Sequence, residues 1–275
     1  MKIRVLGTAA AECWPGIFCN DSFCQRIRKI KGKNIRSRAQ LLIDKEHLID
    51  FGYDNFYHSV KFDVDFSQIR DIFITHSHDD HYMPQDLEYA GQGVYAYNTK
   101  YSPIQLYGDE KVVEMGKPFV KNGGVELNVL HPFEKVTTPD GYTFYALRAE
   151  HDDEGEDMLN YIVEHNGKTF IYLCDTGYYR KEDTWEYISQ FKFDCVISEC
   201  TFVMQDWESV GHSAYRSGVL KLKEKLLKMN SINENTPIYI THFTHMFHNL
   251  DHDTLCEICG RDNIQVCYDG MEIEI

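Results

Sequence analysis

The stretch Ile72-Phe73-Ile74-Thr75-His76-Ser77-His78-Asp79-Asp80-His81 constrains this chain more than any other. An apolar, β-branched and aromatic run reads as a buried strand. It empties at once into three histidines and two aspartates, stopping before Tyr82-Met83-Pro84. Imidazoles and carboxylates crowded at a strand's C-terminal edge are ligands for a metal ion. His76 and His78, two apart, can point the same way from an extended segment. Asp80 and His81 follow the turn and can serve a second, adjacent ion. The competing reading, a polar surface loop, does not account for so dense a cluster.

With 275 residues, 43% of them hydrophobic, the chain can build one large core. Its net charge of −15 argues against a general nucleic-acid groove, which needs clustered positive charge. One segment departs from that balance: Arg26, Arg28, Lys29, Lys31, Lys33, Arg36 and Arg38 put seven positive charges and no acid into thirteen residues. It reads as a solvated basic loop, with a site attracting an anionic substrate as the alternative. Nine cysteines, odd in number and irregularly spaced, do not describe a disulfide scaffold. Met1-Lys2-Ile3-Arg4-Val5 opens a strand rather than a signal peptide, and no apolar run approaches the roughly 18 residues of a membrane helix. A soluble, cytoplasmic protein is the expectation.

In order, Lys2–Leu6 is a strand closed by small residues, Gly7-Thr8-Ala9-Ala10-Ala11, that let the backbone pass close to something. Leu41–Ile43 and His47–Gly52 read as a hairpin around Asp44-Lys45-Glu46. Strands are also expected at Ile104–Tyr107, Val125–Leu130, Tyr142–Glu150, Asp194–Ser198, Ile238–Ile240 and Ile264–Tyr268. Tyr161–Glu164 and Thr169–Cys174 flank Asn166-Gly167, a strong hairpin signal. Helices are expected at Pro84–Ala90, Glu110–Val120, Thr184–Gln190, Ser213–Met229 and Asp253–Cys259. No linker or repeat divides the chain, so residues 1–275 read as one α/β domain of two packed sheets with helices outside.

One motif offers too few ligands for two ions. His151 (followed by Asp152-Asp153), Asp175 and His242 each follow an extended apolar run, repeating the strand-end pattern. Thr75-His76-Ser77-His78-Asp79-Asp80-His81, with those three residues in that order, resembles the metallo-β-lactamase superfamily, which implies a four-layer αββα sandwich. Gly7-Thr8-Ala9-Ala10, the Cys19…Cys24 segment, Thr241-His242-Phe243-Thr244-His245 and Asp269-Gly270-Met271-Glu272-Ile273 narrow the likeness to the carbon–phosphorus-lyase accessory phosphodiesterases. A looser likeness is to the coenzyme-synthesis B proteins of the pyrroloquinoline quinone pathway. The resemblance implies that His76, His78 and His151 hold one ion, that Asp80, His81 and His242 hold the other, and that Asp175 bridges them. Such a ligand set suits zinc, manganese or iron(II). Cys174, adjacent to Asp175, should face the opposite way, into the core.

In those phosphodiesterases a C-x-C-x-x-C segment and a later histidine bind structural zinc. The matching positions here are Cys19, Asp21, Cys24 and His245, with aspartate in place of the middle cysteine; zinc accepts a carboxylate. Cys256 and Cys259, a lone C-x-x-C, read as helix packing. The resemblance further implies hydrolysis of a small cyclic or nucleotide-like phosphodiester by hydroxide bridging two ions. Asp80 and His212 are the catalytic residues it implies, His212 as general acid; a bland alternative has Ser213 capping a helix and His212 exposed. Three rivals stay open: a thioester or lactone hydrolase, an RNase-Z-like nuclease, and a non-enzymatic metal-binding protein. The expected partner is a small anionic phosphodiester, with no membrane or nucleic acid, and a homodimer is the assembly to test.

Overall fold

The computed structural model describes residues 1–275 apart from 92, 152–154 and 209–210. The sequence expectation for Asp152 and Asp153 lies outside the described residues. One sheet takes β1 (Lys2–Gly7), β2 (Gln40–Ile43), β3 (His47–Ile49), β4 (Asp71–Phe73), β5 (Ile104–Gly108) and β6 (Val125–Val129). The other takes β7 (Lys135–Thr137), β8 (Thr143–Arg148), β9 (Leu159–His165), β10 (Lys168–Leu173), β11 (Cys195–Glu199), β12 (Ile238–Thr241) and β13 (Ile264–Val266). β14 (Met271–Glu274) then returns to pair with β1. The orders are β14-β1-β2-β3-β4-β5-β6 and β13-β12-β11-β10-β9-β8-β7.

Period-two alternation creates the layers. Ile3, Val5, Leu41, Ile43, Ile49 and Phe73 face Phe144, Tyr161, Val163, Phe170, Tyr172 and Ile197 between the sheets. Phe73 stacks on Phe144 with centroids 3.7 Å apart. The alternate residues Leu42, Leu48, Ile72 and Leu106 turn outward beneath α3 (Glu110–Gly116). On the far side, Ile162, Ile171, Val196 and Ile240 turn outward beneath α4 (Glu182–Ile188), α5 (Lys221–Lys228) and α6 (His252–Gly260). The result is an αββα sandwich.

Direction then sets where the site falls. β3 to β6 run parallel to one another, as do β10 to β13. Their C-terminal ends therefore share an edge, where open α/β sheets collect ligands. β8, antiparallel to β9, which is antiparallel to β10, ends at the same edge.

The structure corrects several expectations. The 26–38 segment is solvated over much of its length, with Arg26, Arg28, Lys29, Lys31 and Lys33 exposed, but it is not a loop: α1 (Ser22–Ile30) and a 3-10 turn at Gly32–Asn34 occupy most of it. Arg36 is fully buried, donating to Thr8 Oγ1 at 2.8 Å and to the Cys267 carbonyl at 2.6 Å. Arg26 pairs with Asp251, Arg28 donates to the Gly16 carbonyl and Arg38 pairs with Asp54. Pro84–Ala90 is a 3-10 helix, and the long helix begins with a π turn at Tyr215–Leu220 before α5. Ser213 is not the N-cap, a position Ala214 holds; its Oγ donates to the Thr176 carbonyl and its N–H to Glu199. The helix expected at Thr184–Gln190 starts two residues earlier, and α2 (Asn55–Phe62), β7 and β14 carry too little apolar periodicity to stand out. The small residues after β1 do make a close passage: a Cβ on Gly7 would lie 1.8 Å from the Arg38 carbonyl oxygen. Among the described residues no helix is long and apolar enough to cross a membrane.

Candidate metal centre

β4 ends at Phe73, and the loop it feeds is stitched to the opposite sheet. Tyr161 Oη donates to the Ile74 carbonyl at 2.6 Å, and the Leu159 N–H to that of Thr75 at 2.7 Å. So held, His76 Nε2 and His78 Nδ1 converge to 2.9 Å. His76 Nε2 lies 3.5 Å, and His151 Nε2 4.0 Å, from Asp175 Oδ2. That same oxygen is 3.1 Å from His81 Nε2, which is 3.2 Å from Asp80 Oδ2. His242 Nε2 closes the second group, 3.8 Å from Asp80 Oδ2.

Two ligand pockets thus share Asp175. One is His76, His78, His151 and Asp175; the other is Asp80, His81, Asp175 and His242. Ligand bonds of 2.0–2.1 Å arranged tetrahedrally have edges of about 3.4 Å, the spacing seen here. Buried His81 Nε2, His242 Nε2 and Asp175 Oδ1 have no hydrogen-bond partner among the described residues. Orphaned donors and acceptors at that depth call for an ion. The donor set fits divalent metal.

Behind the ligands stands a layer the sequence reading missed. Asp50, directly after β3, accepts from Thr75 N at 2.8 Å and lies 2.7 Å from His81 Nδ1. Glu199, the last residue of β11, accepts from Thr176 N, Thr201 N and Ser213 N at 3.1, 2.8 and 2.9 Å. Thr201 Oγ1 in turn meets His242 Nδ1 at 2.8 Å, and the Gly211 carbonyl meets His151 Nδ1 at 2.8 Å. Such partners fix ring orientation and tautomer. Asp50, Asp175 and His242 have φ of 70°, 45° and 56°, left-handed backbone that non-glycine residues seldom adopt. The sequence did hold a signal, since Asp50 and Glu199 repeat the strand-end carboxylate pattern.

Burial pushes the imidazoles of His76 and His151 below their ordinary range, favouring the neutral form that binds metal. Burial alone would lower His81 too, but Asp80 and Asp50 outweigh it and drive it well up. For the carboxylates burial works upward, yet His81 holds Asp80, and His242 holds Asp175, well below the usual range. His212 is in neither of the two pockets that share Asp175. Its Nδ1 lies 3.2 Å from Asp175 Oδ1 and 3.7 Å from Glu199 Oε1. Burial opposes its charge, but those two carboxylates prevail and raise its pKa to about 11.

A second cluster joins Cys19, Cys24 and His245. Asp21 caps α1, accepting from Cys24 N at 2.6 Å, and that bond holds its carboxylate below the ordinary range. His245 Nδ1 faces Glu12 at 3.4 Å, the carboxylate–imidazole arrangement that orients a metal-binding ring. Cys174 is buried in the inter-sheet core as expected, with its thiol pushed well up by burial. Its sulfur nonetheless reaches the underside of the site, within 4.8 Å of His81 and His242 nitrogens. Cys256 and Cys259 lie on α6, Cys259 buried and Cys256 packed on the same core.

Imidazole and carboxylate pockets sharing one aspartate, at the strand ends of an αββα sandwich, define a metal-dependent hydrolase. The β-lactamase superfamily domain matches residues 48–243, and the chain belongs to that superfamily. No curated protein matches it. Among solved structures it is similar to zinc-bound PqqB from Methylobacterium extorquens, with TM-score 0.74, 15% identity and all of both chains covered. It is similar also to a diphosphatase of the PhnP family, with TM-score 0.74, 20% identity and coverage of 100% of this chain and 97% of that one. Human tRNase Z, short form, aligns with TM-score 0.66 and 18% identity over 100% of this chain and 99% of its own. At these identities the likeness is one of fold.

Proposed function

We propose that this chain is a dinuclear metal-dependent phosphodiesterase acting on a small diester. His76, His78 and His151 would hold one divalent ion, Asp80, His81 and His242 the other, with Asp175 between them. Zinc, manganese and iron(II) all suit this set. Ions bound there supply a Lewis acid and an acidified water.

The observation that carries the reading is the placement of His212. It stands on the open side of Asp175, its ring 4.7 Å from that of His151 and its side chain 27% exposed to the cavity. A diester's leaving alkoxide needs a proton, and an imidazole beside the shared carboxylate can donate one. A thiolate leaving from a thioester has far less need of it, because thiols are much more acidic than alcohols. Asp80 acts by holding its ion and by neutralising His81.

Cys19, Asp21, Cys24 and His245 form a proposed structural zinc site that ties the N-terminal loop to the segment after β12. One test covers both centres. Purified protein should carry close to three ions per chain by elemental analysis. Loaded with zinc or manganese, it should hydrolyse bis-p-nitrophenyl phosphate in preference to a lactone and a glutathione thioester. A faster lactone or thioester reaction would transfer the same site to the rival chemistry.

A further inference from the structure

The chemistry at the rim is unlike that at the floor. A cavity of about 230 Å³ opens over the ligands, lined also by Ala10, Ala11, Phe202 and Met246. That is smaller than the roughly 300–1,000 Å³ of a site enclosing a drug-sized molecule. A diester bulkier than the cavity must therefore extend a substituent beyond it. Among the described residues no lysine or arginine lines the cavity, and Glu12 adds a carboxylate. Of the basic segment, Arg26, Arg28 and Arg36 make their contacts elsewhere, and Arg38, whose Nε donates to the carbonyl of cavity-lining Ala11 at 2.8 Å, is already paired with Asp54. Among the described residues no cation without a carboxylate partner meets the cavity, so the part of the substrate beyond the reacting diester should be uncharged.

Just outside that lining, beside Phe202 and next in the chain to Met246, lies aromatic surface. Trp207 packs edge-on between Phe202 and Phe247, with centroids 5.0 and 4.9 Å away and ring planes at 70° and 66°. Phe202 in turn stands edge-on to His212 at 5.4 Å. Gln205 donates to the Phe247 carbonyl, joining the two loops that carry these rings. Trp207 is 42% and Phe247 53% exposed, whereas Trp14 and Trp185 are buried. Among the described residues no ring lies parallel to the indole, so a stacking position is open.

We infer that Trp207 and Phe247 form a stacking subsite for a planar aromatic group on a singly charged diester, as in an aryl or nucleoside ester. The inference rests on the phosphodiesterase reading and narrows its substrate class. The test compares adenosine 2′,3′-cyclic phosphate with glycerol 1,2-cyclic phosphate on the metal-loaded full chain. They share the strained diester and differ in the base. The wild type should favour the adenosine ester in kcat/KM by about ten-fold, within the range one aromatic–base stack contributes. Trp207→Ala should erase that preference through KM, and Trp207→Phe should keep most of it. Independently of turnover, the adenosine ester should quench emission that is missing from the Trp207→Phe protein, and the glycerol ester should not. Equal kcat/KM for the two esters with no selective quenching overturns the subsite and leaves the phosphodiesterase reading intact. Failure to hydrolyse either ester counts against that reading, and selective quenching then decides the subsite alone. If Trp207→Ala does not fold, Phe247→Ala takes its place, and a retained preference there together with absent quenching refutes the inference.

Discussion

Asp50 Oδ2 lies 2.7 Å from His81 Nδ1, both side chains fully buried, so a residue outside both candidate metal pockets sets the aim of one inside them. The other Asp50 oxygen accepts from Thr75 N and Oγ1 at 2.8 Å each, fixing the start of the ligand loop. Asp50→Asn keeps the shape and one acceptor but removes the charge behind the imidazole. The expected result is a folded protein whose affinity for the ion at Asp80, His81 and His242 falls about ten- to hundred-fold. A competition titration with a chromophoric chelator measures this. Two ions binding as tightly as in wild type would refute the supporting role.

Comparison of the two strand-end carboxylate classes shows what the sequence could reveal. His76, His78, His151, Asp175 and His242 stand out because imidazoles after apolar runs are chemically conspicuous, and strand direction alone brings them to one edge. Asp50 and Glu199 end strands in the same way, but a single carboxylate there looks like any turn residue until its neighbours in space are known. The 26–38 segment misled for the opposite reason. Its charge is conspicuous, while the acceptors that meet its four arginines, Asp251, Asp54 and the carbonyls of Gly16 and Cys267, lie far away in the chain or in other elements. The π turn at Tyr215–Leu220 comes directly after long-range bonds of Ser213 to Thr176 and Glu199, which no local pattern encodes.

His212 should separate leaving groups rather than abolish all turnover. His212→Gln leaves both pockets that share Asp175 intact, so metal content should match wild type. Loss of a positioned proton donor costs about 10²- to 10⁴-fold when the leaving group is an alkoxide, and much less for p-nitrophenolate, which departs unprotonated. Paired rates for an alkyl and a p-nitrophenyl diester provide the measurement. An equal loss on both would make His212 a binding residue instead.

Asp21 has two duties that one substitution can separate. Asparagine caps helices about as well as aspartate, so Asp21→Asn should preserve the bond to Cys24 N and the thermal midpoint of the zinc-free protein. It is a much poorer zinc ligand, so the variant should lose the proposed structural zinc while the active-site ions stay. Asp21→Cys should retain that zinc. Elemental analysis after dialysis against a weak chelator distinguishes them, and equal zinc in wild type and Asp21→Asn would leave the aspartate as a cap alone.

The last expectation concerns stability against pH, away from any proposed ion. His58 on α2 is buried, its Nδ1 2.6 Å from Gln40 Oε1 and its Nε2 2.7 Å from Ser37 Oγ. The amide oxygen can only accept, so Nδ1 carries the proton. Gln40 Nε2 in turn donates to the Asp50 carbonyl and to Asn55 at 2.9 Å each, fixing that amide's orientation. Burial lowers the His58 pKa from 6.5 to about 4, against the opposing charge of Asp54. Below pH 6.5 the unfolded chain takes up a proton that the folded chain refuses. The folded pKa is the depressed one, so this stability is complete above pH 6.5 and drains away as pH falls to about 4. The whole window is worth on the order of 3 kcal/mol, and the part between pH 6.5 and 5 about 2 kcal/mol. His58→Gln removes the titration. It should be less stable than wild type at pH 7.5, yet lose about 2 kcal/mol less on going to pH 5. Urea unfolding of both proteins, metal-free, at the two pH values measures the difference, in which all other titrating groups cancel. Parallel losses in the two proteins would mean that His58 accepts its proton in the folded state as readily as in the unfolded chain.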